Sequence, residues 1–191
     1  MKALIVVDML EEFVDGRLGS DKSRAIVPNV AALANHAQAE GWQVVFANDA
    51  HQPGDPEIAL WGEHAIHDTP EAGLATELLV RLDEGVVEGA VICRKTEYDA
   101  FAAGNARLGM PLAVYLGAKG ITEVVIVGAA THICVAQTAI GAFQQGFDVT
   151  VVADAVAGFE DTDEAFWLNH IRTLTGAKVP FAADILNGVI A

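Results

Sequence analysis

Five apolar runs, at 3–7, 43–47, 89–93, 123–127 and 148–153, are rich in Val and Ile and lack strict alternation of apolar and polar residues. Strands covered on both faces read this way. Between them lie segments with helical spacing, at about 26–40, 71–82, 108–119, 134–145 and 162–175. Several close on a glycine (Gly41, Gly120, Gly146, Gly176), the residue that ends helices in the left-handed conformation. Strands alternating with helices require right-handed crossovers, so the pattern predicts an α/β fold around a mainly parallel sheet of five to six strands. The sixth strand is expected near 178–181.

With 191 residues, 52% of them hydrophobic, the chain suffices for one well-buried core, and no repeat or linker divides it. One domain spanning 1–191 is expected. The apolar runs stop well short of the ~20 residues a membrane helix requires, and Met1-Lys2 leads directly into the first strand without a cleavage-site pattern. The expectation is a cytoplasmic protein without a membrane partner. A formal net charge of -15 argues against nucleic acid, whose phosphates are held by clustered Lys and Arg. Two cysteines, Cys93 and Cys134, make no disulfide framework and no CxxC pair.

In a parallel sheet, residues just after different strands converge on one edge. That rule brings together Asp8 after the first strand, Asp49 and His51 after the second, Lys95 after the third, Cys134 after the fourth and Asp154 after the fifth. Cys134 sits at the start of a helix, where the partial positive charge favours an anion, and Lys95 adds a full charge; both favour the thiolate. Asp8, partly buried, can take the thiol proton and return it to a leaving amine. The amides of Ala130 and Cys134 are natural donors to the oxyanion formed on an attacked carbonyl. Each residue alone also admits a plain role: Asp8 as a cap, Lys95 as a surface cation, and either cysteine as a small buried hydrophobe. The turn after the first strand, DMLEEF, has no GxGxxG for a dinucleotide. No GxSxG elbow is present, and no arginine follows Cys134 to hold a phosphate dianion.

The segments ALIVVDMLEEF, CRKTEYDAF, GAATHICVAQTA and GFDVTVVADA, in this order and spacing, resemble the isochorismatase-like cysteine hydrolases, a group that includes nicotinamidases and N-carbamoylsarcosine amidases. The resemblance covers nearly the whole chain. It implies a three-layer α-β-α, Rossmann-like fold, a catalytic triad of Asp8, Lys95 and Cys134, and a cis peptide between Ala129 and Ala130. Members that hydrolyse the vinyl ether of isochorismate lack the cysteine, so Cys134 points to amide or ureide hydrolysis through a thioester, with release of ammonia.

The resemblance further implies a divalent metal, zinc first with manganese or iron as alternatives, held by an Asp-x-His pair and later ligands. Asp49 and His51 in NDAH, Glu57 in GDPE and His64 in WGEH fill those places, and one or two carboxylates with two imidazoles suit such an ion. The chain departs from the nicotinamidase pattern at Ala50, where that pattern has Trp, and at Glu63, where it has Pro. Phe13, Trp61 and Tyr98 match aromatic walls around a flat substrate. These residues favour a small planar amide, nicotinamide foremost, with an N-carbamoyl compound as the alternative and a non-catalytic or redox-sensing protein as a more distant one. Members of the family assemble as dimers or tetramers, so a homodimer or homotetramer is expected.

Overall fold

The computed structural model describes residues 1–102 and 109–189. Five strands, β1 (Lys2–Val7), β2 (Gln43–Asp49), β3 (Val91–Lys95), β4 (Glu123–Ala129) and β5 (Asp148–Ala157), form one sheet in the order β3-β2-β1-β4-β5. Every pairing is parallel, as the double-sided burial of these runs requires. One face, with Ile5, Val7, Ala47 and Ile126, packs on the helices Leu112–Ala118, Ala136–Gln144 and Glu164–Thr175. The other, with Leu4, Val6, Val44 and Phe46, packs on the helix Asp21–Ala39. The chain is therefore the expected three-layer α-β-α arrangement. Among the described residues no helix is long and apolar enough to cross a membrane.

Several boundaries differ from the sequence expectation, each for a local reason. The long helix begins at Asp21 rather than 26 because Ser20 caps it: its Oγ accepts from the Ser23 N–H, and the Ser23 Oγ accepts from the Ser20 N–H, both at 3.0 Å. The helix expected at 71–82 is broken into a turn at Pro70–Ala72 and a short helix at Thr76–Leu79. Between them the backbone instead pairs with the start of the chain, Glu11 N–H donating to Gly73 O at 2.9 Å and Ala75 N–H to Met9 O at 3.0 Å. Residues 84–89 form a helix that was not expected, and β3 consequently starts two residues late and runs on to Lys95. The start of the helix expected from 108 lies outside the described residues, and helix is present over Leu112–Ala118. The sixth strand is reduced to an isolated bridge between Thr150 and Lys178, closed by Lys178 N–H to Val149 O at 3.1 Å; Pro180 lacks the N–H needed to extend it.

Candidate active site

Asp8 leaves β1 with φ 49°, a left-handed conformation that an aspartate tolerates better than most residues. Beside it, β4 must come close: a Cβ on Gly128 would lie 2.0 Å from Val7 O, so only glycine permits this approach. Two residues on, the Ala129–Ala130 peptide is cis, as the resemblance implied. A single π-helical turn, Thr131–Val135, then carries Cys134 before the α-helix proper begins at Ala136.

Lys95, at the last register position of β3 opposite Asp49, is fully buried and joins three groups. Its Nζ lies 2.7 Å from Asp8 Oδ2, donates to Asp49 Oδ1, and is 3.5 Å from Cys134 Sγ. Carboxylate, ammonium and thiol thus meet at one buried point, with a carboxylate oxygen of Asp8 within 4.8 Å of Sγ. Burial, with a further push from Asp49, raises the Asp8 carboxyl to about 6 against the pull of Lys95. Burial alone would raise Asp49 too, but there Lys95 and His51 prevail and hold it below the usual range.

The thiol corrects an expectation. Burial, supported by the charges of Asp8 and Asp49, pushes the Cys134 thiol well above its ordinary range although Lys95 acts the other way. Burial, together with two carboxylates within 4.8 Å of Sγ, outweighs the features that favoured a free thiolate. The proton therefore rests on sulfur until a base removes it. Cys93, in mid-β3, is buried and its thiol is pushed up to about 12, in keeping with a structural role.

Asp49, His51, Glu57 and His64 are all buried, and one ligand atom from each lies within 4.8 Å of the others. His51 Nε2 is 3.7 Å from Asp49 Oδ2 and 3.8 Å from Glu57 Oε2, separations compatible with ligands about 2.0–2.2 Å from one shared ion. This Nε2 has no hydrogen-bond partner among the described residues although it is buried. Both imidazoles are turned with Nε2 free: His51 Nδ1 faces Asp55 Oδ2 at 3.3 Å, and His64 Nδ1 donates to Gly62 O at 2.8 Å. Such outer contacts select the tautomer a metal ligand needs. The four residues fit a divalent ion. Asp55 was missed in the sequence because nothing in its spacing distinguishes an outer carboxylate from a turn residue.

Phe13, Trp61 and Tyr98 all line one cleft that also contains Asp8, Ala130 and Cys134. Trp61 Nε1–H donates to Tyr98 OH at 3.1 Å, which ties two walls together. Phe159 forms a further wall, its ring 5.8 Å from that of Trp61. Sequence reasoning missed it, since only the path of the loop after β5 brings it there. Asp154, expected at the same edge, lies within β5 instead; its Oδ1 accepts from the Ala182 N–H at 2.7 Å, away from the cleft. His132 packs against Phe159 and Trp167 and does not join the metal-ligand cluster.

The isochorismatase domain family matches residues 2–182. A nicotinamidase/pyrazinamidase of Mycobacterium tuberculosis is 32% identical over 187 residues, covering 91% of this chain and 95% of the relative. The crystal structure of N-carbamoylsarcosine amidase from Thermoplasma acidophilum superposes with TM-score 0.82 at 31% identity, over 95% of this chain and 96% of the other. That of the pyrazinamidase of Pyrococcus horikoshii in complex with zinc does so with TM-score 0.79 at 29% identity, over 94% and 98%.

Proposed function

The chain belongs to the isochorismatase family, and on that premise we propose that it is a cysteine-dependent amidohydrolase that converts a small planar amide, nicotinamide foremost, into its acid and ammonia. The observation that carries this reading is the buried junction at Lys95, which holds Asp8 and Cys134 together inside an aromatic cleft.

In this mechanism Asp8 accepts the Cys134 proton as Sγ bonds to the amide carbon. The N–H groups of Ala130 and Cys134 stabilise the oxyanion. Collapse breaks the C–N bond, Asp8 returns the proton to the leaving amine, and ammonia departs from a thioester. Water then attacks the thioester carbon, Asp8 takes its proton, and the sulfur leaves and is reprotonated as the acid is released. Lys95 stays charged and holds Asp8 in place. Asp49, His51, Glu57 and His64 would hold a divalent ion, zinc foremost, which would supply a Lewis-acidic point for a heteroatom of the substrate. Phe13, Trp61, Tyr98 and Phe159 stack on its plane.

A second reading, hydrolysis of an N-carbamoyl compound, is favoured by the similarity to the N-carbamoylsarcosine amidase structure. Ammonia release from nicotinamide, by protein stripped of metal and re-supplied with zinc or manganese, decides between them. Metal-dependent turnover supports the first reading. Turnover of a carbamoyl compound without turnover of nicotinamide would replace it with the second. The same proposal takes residues 1–191 as one domain of a cytoplasmic homodimer or homotetramer, which fractionation and sedimentation would test.

A further inference from the structure

Behind the metal-ligand strand lies a second cavity, open to solvent and of about 450 Å³, lined by Asn48, Asp49, His67, Asp68, Leu74 and Arg94 among others. Asn48 and Arg94 are register partners on β2 and β3, so their side chains leave the same face of the sheet. That face is opposite the one on which the Asp49 and Lys95 side chains meet. The amide of Asn48 is only 6% exposed, and its Oδ1 is buried without a hydrogen-bond partner among the described residues. Such a group in a native structure calls for an absent partner.

Arg94, half-buried on the same face, offers donors to this space. Its Nη1 contacts His67 Nε2, and His67 Nδ1 faces Asp68 Oδ2 at 2.9 Å, which makes Nε2 the acceptor of that contact. No carboxylate pairs with Arg94 among the described residues, and its other guanidinium N–H groups have no acceptor there, in a chain with 26 acidic residues against 11 basic. The walls are firm: His67 N–H donates to His51 O at 2.9 Å, and His51 N–H to Ala65 O at 3.0 Å, so the loop is laced to the end of β2. Leu74, Ile92 and Pro70 supply an apolar side to the same space.

We propose that this cavity is a binding site for a small oxyanion, with Arg94 holding its negative oxygens and Asn48 Oδ1 accepting from a hydroxyl or N–H that the ligand carries. A planar guanidinium with free N–H groups matches a carboxylate or a phosphate. The apolar side favours a carboxylate on a carbon body. The site opens on the other side of β2 from the catalytic cleft, with Asp49 lining both spaces, and it stands whether or not the amidase reading does.

The test is a titration of the metal-loaded protein with benzoate and, separately, with inorganic phosphate, followed by the NMR signals of the His67 ring. Saturable shifts are expected with at least one probe, benzoate alone identifying a carboxylate site and phosphate alone a phosphoanion site. Affinity should fall about tenfold or more in Arg94→Gln and less in Arg94→Lys, because the charge-assisted contacts are lost in the first and partly kept in the second. A carboxylate bound only in the catalytic cleft would survive both substitutions. Absence of saturation with either probe, or affinity unchanged in both variants, would overturn the proposal. Should Arg94→Gln fail to fold, Arg94→Lys alone decides, since weaker binding than in the parent is required of it.

Discussion

The backbone N–H of Asp49 donates to Oδ1 of Asp8 at 2.7 Å. One residue thereby joins the two halves of the site: Asp49 offers its amide to the candidate base, its Oδ1 to Lys95 and its Oδ2 to the metal-ligand cluster. A disturbance of either half is expected to be felt in the other.

Cys134→Ala should lower turnover of nicotinamide by about 10⁴-fold or more, the scale seen when a covalent nucleophile is lost. The substitution removes one sulfur atom and leaves the surrounding core in place, so the circular dichroism should keep its shape and the melting temperature should fall by only a few degrees. Substantial ammonia release by this variant would rule out thioester chemistry.

In the proposed mechanism Asp8 is a base only when ionised, and burial raises its carboxyl to about 6. The value of kcat/KM should therefore be low below that pH and rise through it, since the ionised fraction grows with pH. Asp8→Asn should remove the limb together with the activity. A profile flat from pH 5 to about 7 would assign the proton transfer to another group.

Lys95→Ala leaves Asp8 and Asp49 buried beside each other without their cation. Removing one member of a buried ionic cluster costs about 3–5 kcal/mol, so chemical denaturation should show a loss of that order with a reduced midpoint. A loss below about 1 kcal/mol, the size of a surface ion pair, would mean that Lys95 is not the junction described above.

Burial and the neighbouring Asp49 raise the Glu57 carboxyl to about 7. A divalent ion binds the carboxylate form, so zinc uptake at pH 6 should release protons, and affinity should grow as pH rises towards 7. Calorimetry in two buffers of different ionisation enthalpy measures the release. Glu57→Gln should diminish it; if the parent releases none, Glu57 is not a ligand.

Phe159→Ala removes one wall of the cleft. An aromatic contact contributes about 0.5–1.5 kcal/mol beyond its buried area, so KM for a planar amide should rise about two- to tenfold with a smaller change in kcat. An unchanged KM would place the substrate elsewhere in the cleft.

Much of this molecule was legible in its sequence. The residue pattern set the layers: Val- and Ile-rich runs without alternation, bounded by helical segments, read as buried strands, and the alternation with helices pointed to a parallel sheet whose carboxyl edge gathers Asp8, Asp49, Lys95 and Cys134. Strand ends, tethered by the chain itself, need little else to be placed. What depended on long-range contacts was not legible. The backbone of 73–75 abandoned its helical spacing because residues 9–11 offered it partners, and Phe159 reached the cleft through a loop whose path is set by groups distant in sequence, such as Lys22, which donates to Phe159 O at 3.2 Å. The thiol shows the same division. Its position at the turn after β4 is a matter of local sequence, but whether it holds its proton depends on burial and on two carboxylates brought from β1 and β2, and electrostatic energies in a dry interior are settled only by which charges meet there.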